Sequence, residues 1–518
     1  MSLSPTTLHI VATGDIHGCF FPDDFVTGKS QVNGSLSKVS QWVRLLRKEA
    51  GEDNVMLLDC GDMLHGGPAA YLCNRLQGVH PVAGMMNFMK YDAMTVGNHD
   101  IEAGHGVYDR FRADLDGCEM LGGNVTDREG NDYFKPYFIT ERGGRRVAVI
   151  GLLTPAVAEW VSERAREGLN VGPMIESARW LVERVRKEEH PDLIVGLFHS
   201  GYMESDPCLC TLGENFSARI AEEVEGFDLI IMGHDHVPTI KLSSSGTLLV
   251  NAGAKAENVA HAAVSPDGTL TVELVKMRSV TPDEEFLTRF SSVRQKVADY
   301  VAQKVGNAPI DFASSKALSG PSSFMQVIHE AQLQATGARI SVAAPAQGDA
   351  LVKAGEISVA DLYRFYRFDN GLVVIKLRGS ELKDFLEWSY ELKRPYISNE
   401  ANGGQSLSPV YNLDSAAGLV YAVDYSKEYG ERIDVERLSD TGEPFDMNVF
   451  YEVAMNSYRA CGGGGHLTLG ARLPQSCLSE RVVREYDGGV RDAIGEYIRS
   501  NSGAFPSYDP PEGPVSEV

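Results

Sequence analysis

No apolar run in this sequence approaches the roughly 18 residues that a membrane-spanning helix requires. The longest are short, such as Val147–Leu153 and Leu229–Met232. Cysteine is sparse, eight in 518 residues, and no Cys-x-x-Cys pair occurs, which argues against a zinc ribbon or a disulfide framework. Cys208 and Cys210 form a Cys-x-Cys that reads as an incidental loop pair. No internal repeat and no signal peptide are visible. Positive charge is also short: 48 Lys and Arg against 71 Asp and Glu give a net charge of −23. So acidic a chain is repelled by the phosphate backbone and by anionic lipid, which argues against polymeric nucleic acid as a partner. A small anionic substrate stays compatible if local cations offset the global charge.

What is present is enough chain for two or more domains. The first 280 residues alternate strand-like runs with amphipathic helical stretches, the pattern of an α/β domain. The strand candidates are Leu8–Ala12, Val55–Leu58, Ala93–Val96, Val147–Leu153, Leu193–Phe198, Leu229–Met232 and Leu248–Val250. Helices are predicted at Ser37–Lys48 and Ile175–Glu188. In the second, Ile175, Ala178, Leu181, Val182 and Val185 recur at helical spacing. Thr281-Pro282-Asp283-Glu284 reads as a helix start, and an unbroken linker helix is expected over 281–306. A second domain follows at 307–500, with strands at Gly371–Leu377 and Gly418–Val423 and helices at Ser322–Gln334 and Ser380–Leu392. The Pro-rich stretch 501–518 reads as a mobile tail.

The chemistry gathers just after the strands of the first domain. Five short motifs stand out: Gly14-Asp15-Ile16-His17-Gly18, Asp59-Cys60-Gly61-Asp62, Gly97-Asn98-His99-Asp100, His199-Ser200-Gly201 and Gly233-His234-Asp235-His236. Imidazole and carboxylate together suit divalent ions such as zinc, manganese, nickel or iron. Asp15, His17, Asp62, Asn98, His199, His234 and His236 give seven donors. That exceeds one tetrahedral site and suits two ions sharing a carboxylate.

This order of motifs resembles the calcineurin-like dinuclear metallophosphoesterases over roughly residues 8–280. The resemblance implies an α/β/β/α sandwich of two packed mixed sheets. It also implies one ion held by Asp15, His17, Asp62 and His236 and a second by Asp62, Asn98, His199 and His234, with Asp62 bridging. Two such ions would activate a water and neutralise phosphate charge, so that an acidic chain can receive a phosphate. His99 resembles the catalytic His of that family, stabilising the transition state or protonating the leaving oxygen. In the nucleotidase branch its acid partner sits three residues on, which is Glu102; Asp100 is the second candidate.

The second domain is similar to the C-terminal α+β domain of the 5′-nucleotidase family at Ser358–Glu387, Ser408–Tyr421 and Asn456–Leu467. Within that family it most resembles the bacterial 2′,3′-cyclic-nucleotide 2′-phosphodiesterase/3′-nucleotidase branch. The resemblance implies that Tyr411 and Tyr458 sandwich a nucleobase, that Asn456 and Arg459 bond ribose or base, and that Gly462 and Gly463 allow close approach. Asn98 is counted among the substrate contacts as well. One departure stands out: where 5′-nucleotidases carry a substrate-binding Arg, Asp349 aligns here. The expected activity is therefore metal-dependent nucleotide phosphohydrolysis, favouring 2′,3′-cyclic and 3′ esters. The alternatives are a 5′-nucleotidase, a nucleotide-sugar hydrolase, or a non-catalytic nucleotide-binding surface protein. A periplasmic or cell-envelope protein without its signal peptide here is the expectation, with a cytoplasmic location as the alternative; the oligomeric state is left open, a monomer being compatible.

Overall fold

The computed structural model describes residues 6–202, 212–318, 320–397 and 408–501. Cys208, Cys210 and the tail from 502 onward lie outside them. The chain divides into two compact units, Met1–Ala298 and Asp299–Val518.

The first unit holds two six-stranded sheets. In one, the order is Leu270–Lys276, Asn258–Val264, Leu8–Thr13, Val55–Asp59, Ala93–Thr95 and Glu119–Leu121. The last four of these strands run parallel. In the other, Thr239–Leu242, Leu248–Asn251, Leu229–Met232, Leu193–His199, Arg145–Leu153 and Tyr137–Arg142 follow one another, the middle four parallel. Side chains of a strand alternate between faces, and the two faces here go to different cores. Leu8, Ile10 and Ala12 meet Val147, Val149, Val195 and Ile231 between the sheets. Val11, Leu57 and Met94 face the opposite way, onto helices Leu36–Ala50 and Pro81–Met89. On the far side Ala148, Ile150, Ile194 and Ile230 pack against helix Met174–Glu189. That helix buries Ile175, Ala178, Leu181, Val182 and Val185, the residues its 3.6-residue periodicity selects. The result is four layers, α/β/β/α. No helix among the described residues is long and apolar enough to cross a membrane.

The expected linker helix over 281–306 is not one helix. Asp283 caps the start, its Oδ1 accepting Glu285 N–H at 3.0 Å. Helix Glu284–Arg289 stops at Phe290, and a second helix runs Ser291–Val301. Phe286 and Phe290 are buried among Phe21 and Phe88 of the first unit, so core packing rather than helix propensity decides the break. Lys304–Ala308 is then a strand, antiparallel to Gly355–Ser358.

The second unit is α+β. Its five-stranded sheet has the order Ser415–Ala417, Ile340–Ala343, Phe450–Asn456, Gly371–Arg378, Val482–Gly489. Helices Ser323–Thr336, Gly379–Ile397 and Val490–Ser500 accompany it.

Candidate metal centre

In both sheets of the first unit the candidate residues follow the C-terminal ends of parallel strands, the edge where α/β folds collect their functional loops. The turn after Leu8–Thr13 is stitched to the turn after Val55–Asp59: Asp15 N–H donates to Gly61 O (2.9 Å) and His17 N–H to Asp62 O (3.1 Å). Asp15, His17, Asp62, His234 and His236 all have positive φ, between 48° and 79°. Such backbone costs about 1–3 kcal/mol per residue and persists only where surroundings enforce it. Here it turns five donors into one centre, which divides into two adjoining groups.

The donor atoms form two groups. In the first, His17 Nε2 lies 2.9 Å from His236 Nε2 and 3.9 Å from Asp15 Oδ1, and His236 Nε2 is 3.4 Å from the same carboxylate oxygen. In the second, Asn98 Oδ1 is 2.9 Å from both His199 Nε2 and His234 Nδ1. Asp62 Oδ2 joins them, 3.8 Å from His17 Nε2 and 3.3 Å from His199 Nε2. Its other oxygen accepts the His99 backbone N–H at 2.9 Å. The structure thus brings together all seven donors read from the sequence, in the two groups that the resemblance implies.

This set fits divalent ions. Donors about 2.1 Å from an ion stand about 3.0–3.4 Å apart, close to these separations. Two imidazole nitrogens at 2.9 Å also share at most one proton, an arrangement that a cation resolves. Asp15 and Asp62 are buried, and burial alone would favour their neutral forms. The nearby imidazoles outweigh that and hold both carboxylates below the usual range, ready as anionic ligands. Burial pushes His17 down to about 3, so it stands neutral.

His99 pairs with Glu102: Nδ1 to Oε2 is 2.6 Å. Asp100, the other candidate partner, is occupied elsewhere. Its carboxylate accepts the backbone N–H groups of Asp62, Met63, Leu64 and Gly97, each at 2.9 Å, and so fixes the Asp62 turn. Its role is structural support of that turn rather than contact with His99. His65, not anticipated from the sequence, stacks on His99 with centroids 4.2 Å apart and planes 12° from parallel. His65, His99 and Glu102 lie close enough to suggest a third ion site. Parallel stacked rings aim their in-plane lone pairs side by side, so the two imidazoles do not converge on one ion. Glu214 and Trp160 were also not anticipated. Glu214 bonds His234 at 3.0 Å, and Trp160 stacks on its ring. Neither carries a local motif that marks it.

In the second unit Tyr411 is 38% exposed, with Phe368 edge-on at 5.6 Å. One expectation changes. Arg459 is 1% exposed, and its guanidinium is committed inward. It donates to Asp414 Oδ2 (2.7 Å), Tyr411 O (2.9 Å), Asn412 Oδ1 (3.3 Å) and Gly463 O. It therefore ties the Tyr411 loop to the Gly-rich loop instead of meeting ribose or base. Asn456 caps the short helix Ser457–Ala460, its Oδ1 accepting Arg459 N–H at 2.7 Å. Gly462 turns with φ of 101°, and Gly463 leaves the space that the Tyr458 ring fills. Asp349 is exposed.

Comparison with known proteins agrees with this geometry. The family profile described as calcineurin-like phosphoesterase matches residues 8–238, and that of the 5′-nucleotidase C-terminal domain matches 301–470. The chain is 26% identical to the trifunctional nucleotide phosphoesterase protein YfkN of Bacillus subtilis over 92% of its length, while spanning 37% of that longer protein. It is 26% identical to the 2′,3′-cyclic-nucleotide 2′-phosphodiesterase/3′-nucleotidase of Yersinia enterocolitica, covering 88% of this chain and 81% of that one. Among solved structures, a candidate 5′-nucleotidase of Staphylococcus aureus superposes with a TM-score of 0.80 at 21% identity, over 96% of this chain and 97% of that one. At that identity the likeness speaks for the fold.

Proposed function

This chain belongs to the 5′-nucleotidase family of phosphoesterase hydrolases, and on that premise we propose that its substrates are nucleotides, with 2′,3′-cyclic and 3′ phosphate esters preferred. The observation that carries the hydrolytic reading is the convergence of seven donors on two adjoining points bridged by Asp62 Oδ2, beside the His99–Glu102 pair. When bound there, two divalent ions supply a nucleophilic water and neutralise phosphoryl charge. The chain's own residues do the rest. Asp15 and Asp62 provide the anionic ligands, His17 and His199 are held by backbone carbonyls, and His99 carries a proton. Its Nδ1 is taken by Glu102, which leaves Nε2–H for a phosphoryl or leaving oxygen.

The preferred ester is supported by two things. Relatives named 2′,3′-cyclic-nucleotide 2′-phosphodiesterase/3′-nucleotidase match at 24–26% identity over most of the chain. Asp349, exposed and acidic, is by resemblance aligned with the substrate-binding Arg of the 5′-nucleotidases, which counts against a standard 5′-nucleotidase pocket. In the second unit Tyr411 and Tyr458 are the candidate base-stacking residues, and stacking is worth about 1–3 kcal/mol per base. The test is turnover of 2′,3′-cyclic AMP, 3′-AMP, 5′-AMP and ATP by protein loaded with zinc, manganese or another divalent ion. The expected order puts the first two ahead. Preference for 5′-AMP would overturn the ester assignment, and inertness toward all four with every metal would overturn the reading.

A further inference from the structure

Glu214 stands outside the seven donors and the His99–Glu102 pair, yet it bonds one of the donors. Its Oε1 lies 3.0 Å from His234 Nε2, while the other nitrogen of that ring, Nδ1, lies 2.9 Å from Asn98 Oδ1. The imidazole is therefore engaged on both sides: Nδ1 faces the donor group and Nε2 faces a carboxylate. When a histidine binds a cation through one nitrogen, the acceptor at the other fixes its tautomer and strengthens it as a donor.

Two other imidazoles of the centre are oriented by neutral groups. His17 Nδ1 bonds His65 O at 3.0 Å, and His199 Nδ1 bonds Cys60 O at 2.6 Å. His234 differs in meeting a carboxylate. The pair is largely out of water, with side-chain exposures of 7% for His234 and 20% for Glu214, which strengthens a charge-assisted bond. Trp160 covers the ring face, with centroids 5.7 Å apart and planes 21° from parallel. The backbone of Glu214 is pinned as well. Its carbonyl accepts Thr154 Oγ1–H (2.7 Å) and Ser200 Oγ–H (3.1 Å), next to His199, and the following Asn215 accepts Gly201 N–H at 2.6 Å. The backbone that carries the carboxylate is thus fixed beside His199, unlike the loosely held partner of a surface ion pair.

We infer that Glu214 is a positioning residue of the metal centre. It holds His234 with Nδ1 toward the cation shared by Asn98, His199 and His234, and it sets the affinity of that ion rather than of the one held by Asp15, His17 and His236. The inference rests on the two-cation reading above.

The experiment uses the whole chain, stripped with a chelator and titrated with zinc against a chromophoric competitor. Metal content is counted by mass spectrometry, and folding of the stripped protein is checked by circular dichroism. The wild type is expected to bind two zinc ions. Glu214→Gln keeps the size and an acceptor oxygen but removes the charge. It should retain one ion at wild-type affinity and bind the other about 10–100-fold more weakly. Glu214→Ala should do the same or worse, and the cobalt-loaded variants should show a changed visible spectrum for one site only. Two ions held at unchanged affinity in either variant would overturn the inference, as would equal weakening of both. A wild type that binds fewer than two ions would overturn the two-cation reading itself.

Discussion

Two carboxylates act on His99 at once. Asp62 accepts its backbone N–H at 2.9 Å, and Glu102 takes Nδ1 at 2.6 Å. Burial alone would strip the proton from the ring, but the charges of Asp62 and Glu102 reverse that and push its pKa up to about 9. The imidazole is cationic at neutral pH, and the His65 ring stacked over it restrains its rotation. A group that donates a proton to a leaving oxygen contributes about 10²–10⁴ in rate. His99→Ala should therefore lower kcat by about that factor while the metal content per chain, measured by mass spectrometry, stays at the wild-type value. A variant with undiminished kcat would remove His99 from the chemistry.

The turns that carry the donors are built against one another at the level of elements. Gly61 has φ of 92°, and a methyl group added there would sit 2.6 Å from Gly97 N and 2.8 Å from Thr95 O. Gly61 precedes Asp62, and Gly97 precedes Asn98, so one added carbon forces two donor turns apart. Strained backbone and overpacking together cost about 2–5 kcal/mol. Gly61→Ala should lower the urea midpoint accordingly and weaken metal binding. If the variant unfolds at the wild-type midpoint with its full metal content, close approach of these turns is not what shapes the site. The same logic explains Asp100, whose four backbone bonds clamp the turn from the other side.

For the molecule as a whole, a net charge of −23 coexists with a site that must accept a phosphate. Part of that acidity is buried ligand charge, and its proton balance sets the pH response. His199 would lose its proton through burial, but Asp62 and Asp15 hold the proton on and push the pKa up to about 10. Below that pH the ion-free protein carries the proton, and a cation that takes His199 must expel it. Affinity for that ion should fall about tenfold per pH unit as pH drops from 9 to 6. Calorimetry in buffers of different ionisation enthalpy should show about one proton released with that ion. Metal binding that is independent of pH and buffer would contradict this proton balance.

Strand and helix positions in the first unit were legible because apolar periodicity is local. Leu229–Met232 is a strand with the very ends read from the sequence, and the face of Met174–Glu189 is the one its spacing selects. The donors were legible too, because Gly beside Asp, Asn or His after a strand is a local signature. What the sequence by itself determined is therefore the α/β class and the list of seven metal-binding candidates. Antiparallel strands such as Tyr137–Arg142 and Asn258–Val264 were not anticipated. They are partly exposed or set beside existing strands, so their apolar pattern is weak. The break at Phe290 came from two aromatic rings finding a core. The Glu102 partner of His99 was expected and is found; only the tertiary structure decided the pairings of Glu214 with His234 and of Asp414 with Arg459. Those two pairings join residues 20 and 45 positions apart, a separation that says nothing about their distance in space. The direction of a side chain is set by the packing around it, and no local pattern encodes it.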